Sequence, residues 1–172
     1  MTDGDFSASD KIAGNQSASF YPNFITREEG HPTSAQFVVE NSGDERGKGL
    51  RTKVAFSKGK LVARLSGIVV SHPTLDTIQI SSALFLSDSW FCRFLLHSCD
   101  PNLAIDITTV ETRAIRDICP NDYLTIDYAA TEDFLAFQFP CNCGAQKCRG
   151  WIMGKREKPN DQGCRFLLMK NR

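Results

Sequence analysis

The sequence has no apolar run long enough to cross a bilayer, no net charge and no fixed-period repeat. Its longest apolar stretch, Leu61 to Val70, is interrupted by Arg64, Ser66 and Gly67 and falls well short of the ~20 apolar residues that a span requires. No membrane partner is expected. Neither a basic start nor an apolar run follows the opening Met-Thr-Asp-Gly-Asp, so a secretory signal is not expected and the cytoplasm or nucleus is the anticipated compartment. Twenty basic residues balance twenty acidic ones, which argues against general polyanion binding and hence against direct contact with nucleic acid. The charge is unevenly spread, with −6 over residues 1–45 and +6 over residues 141–172. The simplest account is two solvated tails around a neutral domain.

What is present is an ordinary globular composition, 41% hydrophobic and 23% charged over 172 residues, enough for one core and one active site. Residues 1–34 are rich in Ser, Asp, Gly and Asn and lack a sustained pattern, so they read as a flexible or loosely docked arm. From Ala35 onward, β-like runs alternate with turn signals. Strands are expected over Phe37–Glu40, Lys53–Phe56, Leu61–Val70, Asp76–Ile80, Ala104–Thr109, Glu111–Ile115 and Tyr123–Tyr128. Ser87 to Leu96 is the one candidate helix. The fold class is mainly β, with a domain over 35–140, a cysteine-rich segment over 141–154 and a basic tail over 155–172.

Seven cysteines cannot all pair internally, and tight clustering in an intracellular setting points to metal before disulfides. Cys141, Cys143 and Cys148 fall within eight residues around Gly144. A structural zinc wants four tetrahedral ligands, and Cys99 is the candidate for the fourth. Cys92, Cys119 and Cys164 have no cluster partner and read as ordinary thiols. In Arg93-Phe94-Leu95-Leu96-His97-Ser98-Cys99-Asp100-Pro101-Asn102 a polar string follows an apolar run. Taken alone, its His, Ser, Asp and Asn are explained by backbone hydrogen bonds in a tight crossing, with His97 a satisfied core histidine. Likewise Tyr128, alone, is a packed strand aromatic.

In order along the chain, Gly47-Lys48-Gly49-Leu50, then Arg93 to Asn102, then Leu124-Thr125-Ile126-Asp127-Tyr128, then Cys141 to Gly150 resemble the SET-domain family with its post-SET zinc tail, over residues 36 to 154. The resemblance implies small curved β-sheets around a pseudoknot and methyl transfer from S-adenosylmethionine, with Zn²⁺ on Cys99, Cys141, Cys143 and Cys148. It implies cofactor contacts from Gly47, Lys48, Gly49, Arg93, Leu96, His97 and Tyr128, with Trp151 covering the adenine and Tyr128 as catalytic tyrosine. The implied acceptor is a protein lysine; the alternatives are a small-molecule substrate and a catalytically silent scaffold. Three positions depart from the family pattern. Leu96 replaces a common Asn, Ile126 a Phe or Tyr, and Leu65 a second tyrosine. With Leu65 and Ile126 in the substrate channel, this aliphatic set implies a roomier pocket and more than one methyl per lysine.

Overall fold

The structure, a computed structural model, describes residues 18–170. Valines and a phenylalanine start β1 (Phe37–Asn41), which pairs antiparallel with β2 (Lys48–Thr52). The strand expected at Lys53–Phe56 therefore lies earlier in the chain, beginning just after Gly47. Gly49 is there for packing: a Cβ on it would stand 2.6 Å from Leu96 Cδ1 and 3.0 Å from the Tyr123 ring. The expected long strand from Leu61 breaks into β3 (Leu61–Arg64) and β4 (Ile68–Val70). Gly67 lies in the break and allows β6 to approach, since a Cβ there would run into the Ser87 carbonyl.

The middle of the chain adds β5 (Thr77–Gln79) and β6 (Phe85–Ser87), giving a sheet in the order β4-β6-β5. A single 3₁₀ turn, Cys92–Phe94, stands where a short helix was expected. Two residues, Leu96–His97, form β7, followed by β8 (Leu103–Asp106) and β9 (Glu111–Ala114); β8 and β9 join β3 in the order β3-β9-β8. After β10 (Thr125–Ile126) come α1 (Tyr128–Thr131), the antiparallel pair β11 (Phe139–Pro140) and β12 (Trp151–Ile152), and α2 (Asp161–Lys170). Phe37, Leu50, Phe91, Leu95, Ile118 and Leu124 are almost wholly buried at the centre.

The described residues on either side of the β-rich core are docked on it. Of the arm expected over 1–34, residues 1–17 lie outside the described residues, and the remainder docks. Tyr21 is buried, donates its hydroxyl to Asp88 Oδ2 at 2.8 Å and accepts the Ser66 amide at 3.0 Å. Asp88, fully buried, also accepts the amides of Trp90 and Phe91. One carboxylate thus fastens the N-terminal segment to the turn that leads into β7. The tail expected over 155–172 holds a helix, capped by Asn160 Oδ1 on the Gly163 amide, with Asp161 in its first turn and Lys170 in its last, each suited to the helix dipole.

Candidate active site and metal centre

The site is built on a crossing of two short strands. β7 and β10 run parallel, pairing Leu96 with Thr125 and His97 with Ile126. Asn102 locks them: its Nδ2 donates to Tyr123 O at 2.8 Å, its Oδ1 accepts the Thr125 amide at 2.8 Å, and its own amide donates to Thr125 Oγ1 at 3.1 Å. A buried amide side chain satisfied at both ends fixes register where two-residue strands alone would not.

Beyond the crossing, Asp127 caps α1 by accepting the Ala129 amide at 3.1 Å and pairs through the same oxygen with Arg149. The cap aims Tyr128 back at the crossing. Its hydroxyl donates to Leu95 O at 2.8 Å, and burial, with Cys92 nearby, pushes its pKa up to about 12. This phenol is not a base at neutral pH. With its proton committed to Leu95, its oxygen lone pairs remain free to accept.

His97 lies between Tyr128 and the cysteines. Its Nδ1 accepts the Tyr128 amide at 3.3 Å and its Nε2 stands 3.4 Å from Cys99 Sγ. Burial, helped by Arg149 and opposed by Asp127, lowers its pKa to about 4. The ring is therefore neutral, with its one proton on Nε2 facing sulfur. Cys99 Sγ is 3.8 Å from Cys141 Sγ, and the four thiols of Cys99, Cys141, Cys143 and Cys148 lie within 4.8 Å of one another. A tetrahedral Zn–S₄ centre with bonds of about 2.3 Å has S···S edges of about 3.8 Å. Backbone amides of Cys99, Arg149 and Gly150 point at Cys143, Cys99 and Cys148 sulfur respectively, as thiolate ligands require. Against a desolvation effect that raises it, hydrogen bonding from the Cys99 and Ala145 backbone draws the Cys143 thiol down to about 6. Residues and geometry fit Zn²⁺. Of the remaining thiols, Cys92 is buried while Cys119 and Cys164 are exposed.

A cavity of about 480 Å³ opens beside Tyr128, lined by Arg93, His97, Ile126, Tyr128, Glu132 and Phe139 among others. Six of the site residues expected from the sequence meet there: Arg93, His97, Ile126, Tyr128, Cys141 and Cys143. Gly47, Lys48, Gly49 and Leu96 lie outside its lining, where their loop contributes Glu45 and Arg46 instead. Leu96 packs on Gly49, and Leu65 sits in the core, so of the three aliphatic departures only Ile126 bears on cavity size. Sequence reasoning missed Asp127, Arg149, Glu132 and Phe139, whose roles depend on contacts across the fold.

Matching these features against known proteins gives a consistent result. The SET domain family model matches residues 47–129. The Aspergillus flavus protein "Methyltransferase flvH" is 32% identical over 124 residues, covering 69% of this chain and 68% of its own. The chain belongs to the SET-domain family. That family makes it an S-adenosylmethionine-dependent methyltransferase. A second relative, the "Probable histone-lysine N-methyltransferase lin-59" of Caenorhabditis elegans, is 28% identical over 155 residues, 77% of this chain and 12% of that protein. Among solved structures, KRYPTONITE in complex with mCHG DNA and SAH aligns with a TM-score of 0.54 at 26% identity, over 67% of this chain and 29% of that one. The SET domain thus spans a small part of these two larger relatives.

At the far side of this SET domain, Trp151 is 3% exposed. Its Nε1 donates to Gln138 Oε1 at 2.9 Å, and its ring lies 5.6 Å from that of Phe166 in α2. Gly163 lets the helix approach, since a Cβ on it would overlap the indole. The indole that was expected to cover a nucleotide is itself covered by the chain's own helix and lies outside the cavity lining. Gly163→Ala is expected to lift α2 and cost about 1–3 kcal/mol by overpacking. In a Trp90→Phe background the check is a red shift of the remaining tryptophan emission, together with a lower urea midpoint.

Proposed function

We propose that this SET domain methylates an amine, with a protein lysine side chain as acceptor, S-adenosylmethionine as donor and Zn²⁺ as structural metal. The observation that carries the reading is Tyr128 on the cavity wall beside the strand crossing, its hydroxyl proton directed into Leu95 O. The name of the lin-59 relative, a histone-lysine enzyme, supports lysine as acceptor.

The cavity suits the donor by its chemistry. Glu45, Arg46 and Arg93 provide both signs of charge for an amino-acid end, while Ile78, Ile126 and Phe139 provide apolar wall. When bound, S-adenosylmethionine supplies an electrophilic methyl on a sulfonium. The chain's own task is to orient a neutral amine, a step for which positioning can supply up to roughly 7–11 kcal/mol. Tyr128 offers oxygen lone pairs to the amine hydrogens and fixes the direction of approach. The apolar wall disfavours the ammonium form, whose ordinary pKa is near 10.4. Gly49, Leu96 and Trp151 are assigned a supporting part through the packing described above.

A second reading, a small-molecule amine acceptor, fits the flvH relative, which matches over two thirds of both chains and whose name specifies no acceptor. Incubation of the protein with methyl-labelled S-adenosylmethionine, in parallel with lysine-containing proteins and with a small-molecule extract, decides between them. Label on protein lysine is the expected result. Label confined to low-mass products overturns it in favour of the second reading, and no label with intact donor binding identifies a silent scaffold.

A further inference from the structure

One buried acid on the cavity wall has no part in the chemistry above. Glu132 is the C-cap of α1, its amide donating to Tyr128 O at 2.9 Å. Four residues apart across one helical turn, Tyr128 and Glu132 project to the same side, and both line the cavity with Cys92, Ile78 and Thr131. Glu132 is only 6% exposed. Its Oε1 accepts the Gln79 amide from β5 at 2.9 Å.

The charges around it are directed elsewhere. Lys155 and Arg156 pair with the neighbouring Asp133, at 3.3 and 3.6 Å. The groups that face Glu132 are the Gln79 amide, the Thr131 hydroxyl, the Cys92 thiol from the 3₁₀ turn, and more distantly Lys155 and Asp133. A buried carboxylate ordinarily holds a cationic partner. Here a cationic guest in the cavity would be that partner.

Resting on the amine-methylation reading, we propose that Glu132 is the anion that receives the acceptor's alkylammonium group in the cavity and takes its proton before methyl transfer. The acceptor class is a primary or secondary alkylammonium on an apolar stem, since Ile78, Ile126, Leu135 and Phe139 surround the position. A proton passes from nitrogen to a Glu132 carboxylate oxygen, leaving a lone pair on nitrogen. That pair forms the N–C bond as the C–S bond breaks and its electrons stay on sulfur. The product is an N-methylammonium and a thioether, and Glu132 returns its proton to solvent. Its titratable neighbours on this side of the cavity do not serve: Tyr128 is held near 12 with its proton on Leu95 O, and the buried Cys92 thiol is pushed further up by burial and by Asp88. Burial raises the Glu132 carboxyl as well, which narrows its gap to an amine and favours the exchange.

The test uses the full, zinc-loaded chain and Glu132→Gln, which keeps an acceptor for the Gln79 amide. Titration of n-butylammonium into the protein saturated with S-adenosylhomocysteine, followed by calorimetry, should show binding at least tenfold weaker in the variant. Affinity for S-adenosylhomocysteine itself should stay within twofold. Glu132→Asp, which retains the charge, should recover part of the butylammonium affinity. With whichever acceptor takes label, kcat/KM of Glu132→Gln should fall about 100-fold at pH 7.5 and climb about tenfold per pH unit toward pH 10, following free amine, while the wild type is flatter. Equal butylammonium affinity in wild type and variant, absence of binding to the wild type, or a loss parallel at every pH would each overturn the proposal. Because the binding arm needs no turnover, a failure of the lysine reading is seen separately.

Discussion

Stripping the metal from this SET domain with a strong chelator is expected to release everything from Cys141 onward and to end methyl transfer. Structural zinc on peptide thiolates is worth about 10–16 kcal/mol at neutral pH, comparable to the about 5–15 kcal/mol that holds a whole domain together. Apart from the metal, the segment it would free is held by scattered polar links, among them Arg149 on Asp127, Lys155 on Asp133 and Trp151 on Gln138. β11 and β12 are two residues each, and between them lie turns that carry the three clustered cysteines. The fourth proposed ligand, Cys99, follows directly on β7, so a metal held there would tie the tail to the strand crossing. Elemental analysis should give one zinc per chain. Hydrogen exchange after chelation should lose protection at Cys141 and in α2 while Leu103 and Ala114, in the β3-β9-β8 sheet, keep theirs. A folded, metal-free protein whose Cys148→Ser variant binds S-adenosylhomocysteine as well as wild type would defeat both the site and its role in shaping the cavity.

Tyr128→Phe is expected to lower kcat by about 10²- to 10³-fold, the usual consequence of removing one well-placed polar group from a transition state. Donor affinity should change by no more than about twofold, because the ring contacts with His97 at 5.1 Å and Phe139 at 6.1 Å persist. The distinction follows from the hydroxyl's geometry. Its proton is held by Leu95 O, so what the mutation removes is an acceptor directed at the cavity, effective on the aligned amine rather than on the ground-state complex. Single-turnover rates and calorimetry with S-adenosylhomocysteine separate the two effects. An unchanged kcat would remove Tyr128 from the chemistry.

The chemistry was legible in the sequence where its residues are close together. The cysteines at 141, 143 and 148 announce a metal by spacing alone, and the string from His97 to Asn102 announces a crowded crossing by placing five polar-capable side chains after an apolar run. Contacts made across the fold were not legible. Nothing local marks Gly49 as the floor for Leu96, so a strand was expected at Lys53–Phe56 rather than at Lys48–Thr52, where it stands. Nothing near Tyr21 indicates that Asp88 awaits it, and a serine-rich composition suggested a loose arm. In α2, an internal glycine and the spaced charges Asp161, Arg165 and Lys170 hide the helical face, and nothing near Phe166 in the sequence marks Trp151 as its partner. Glu132 escaped notice because a single Glu in a polar stretch looks solvated until α1 turns it beside Tyr128.

The crossing of β7 and β10 also imposes an order of assembly. Its partners are 29 residues apart, counting Leu96 to Thr125, and neither strand is long enough to persist without the other. Contacts of that separation close late and slow the whole process, in the manner of β-rich topologies that fold in milliseconds to seconds. Cys99 follows directly on β7, whereas the other three thiols form a local cluster from the start. A newly made chain could therefore hold the proposed zinc on three sulfurs before β7 and β10 pair and on four only afterwards. The last coordination bond would be a latch, thrown when the crossing closes, and a nascent chain that captured its metal on the wrong fourth ligand would be caught short of the native fold.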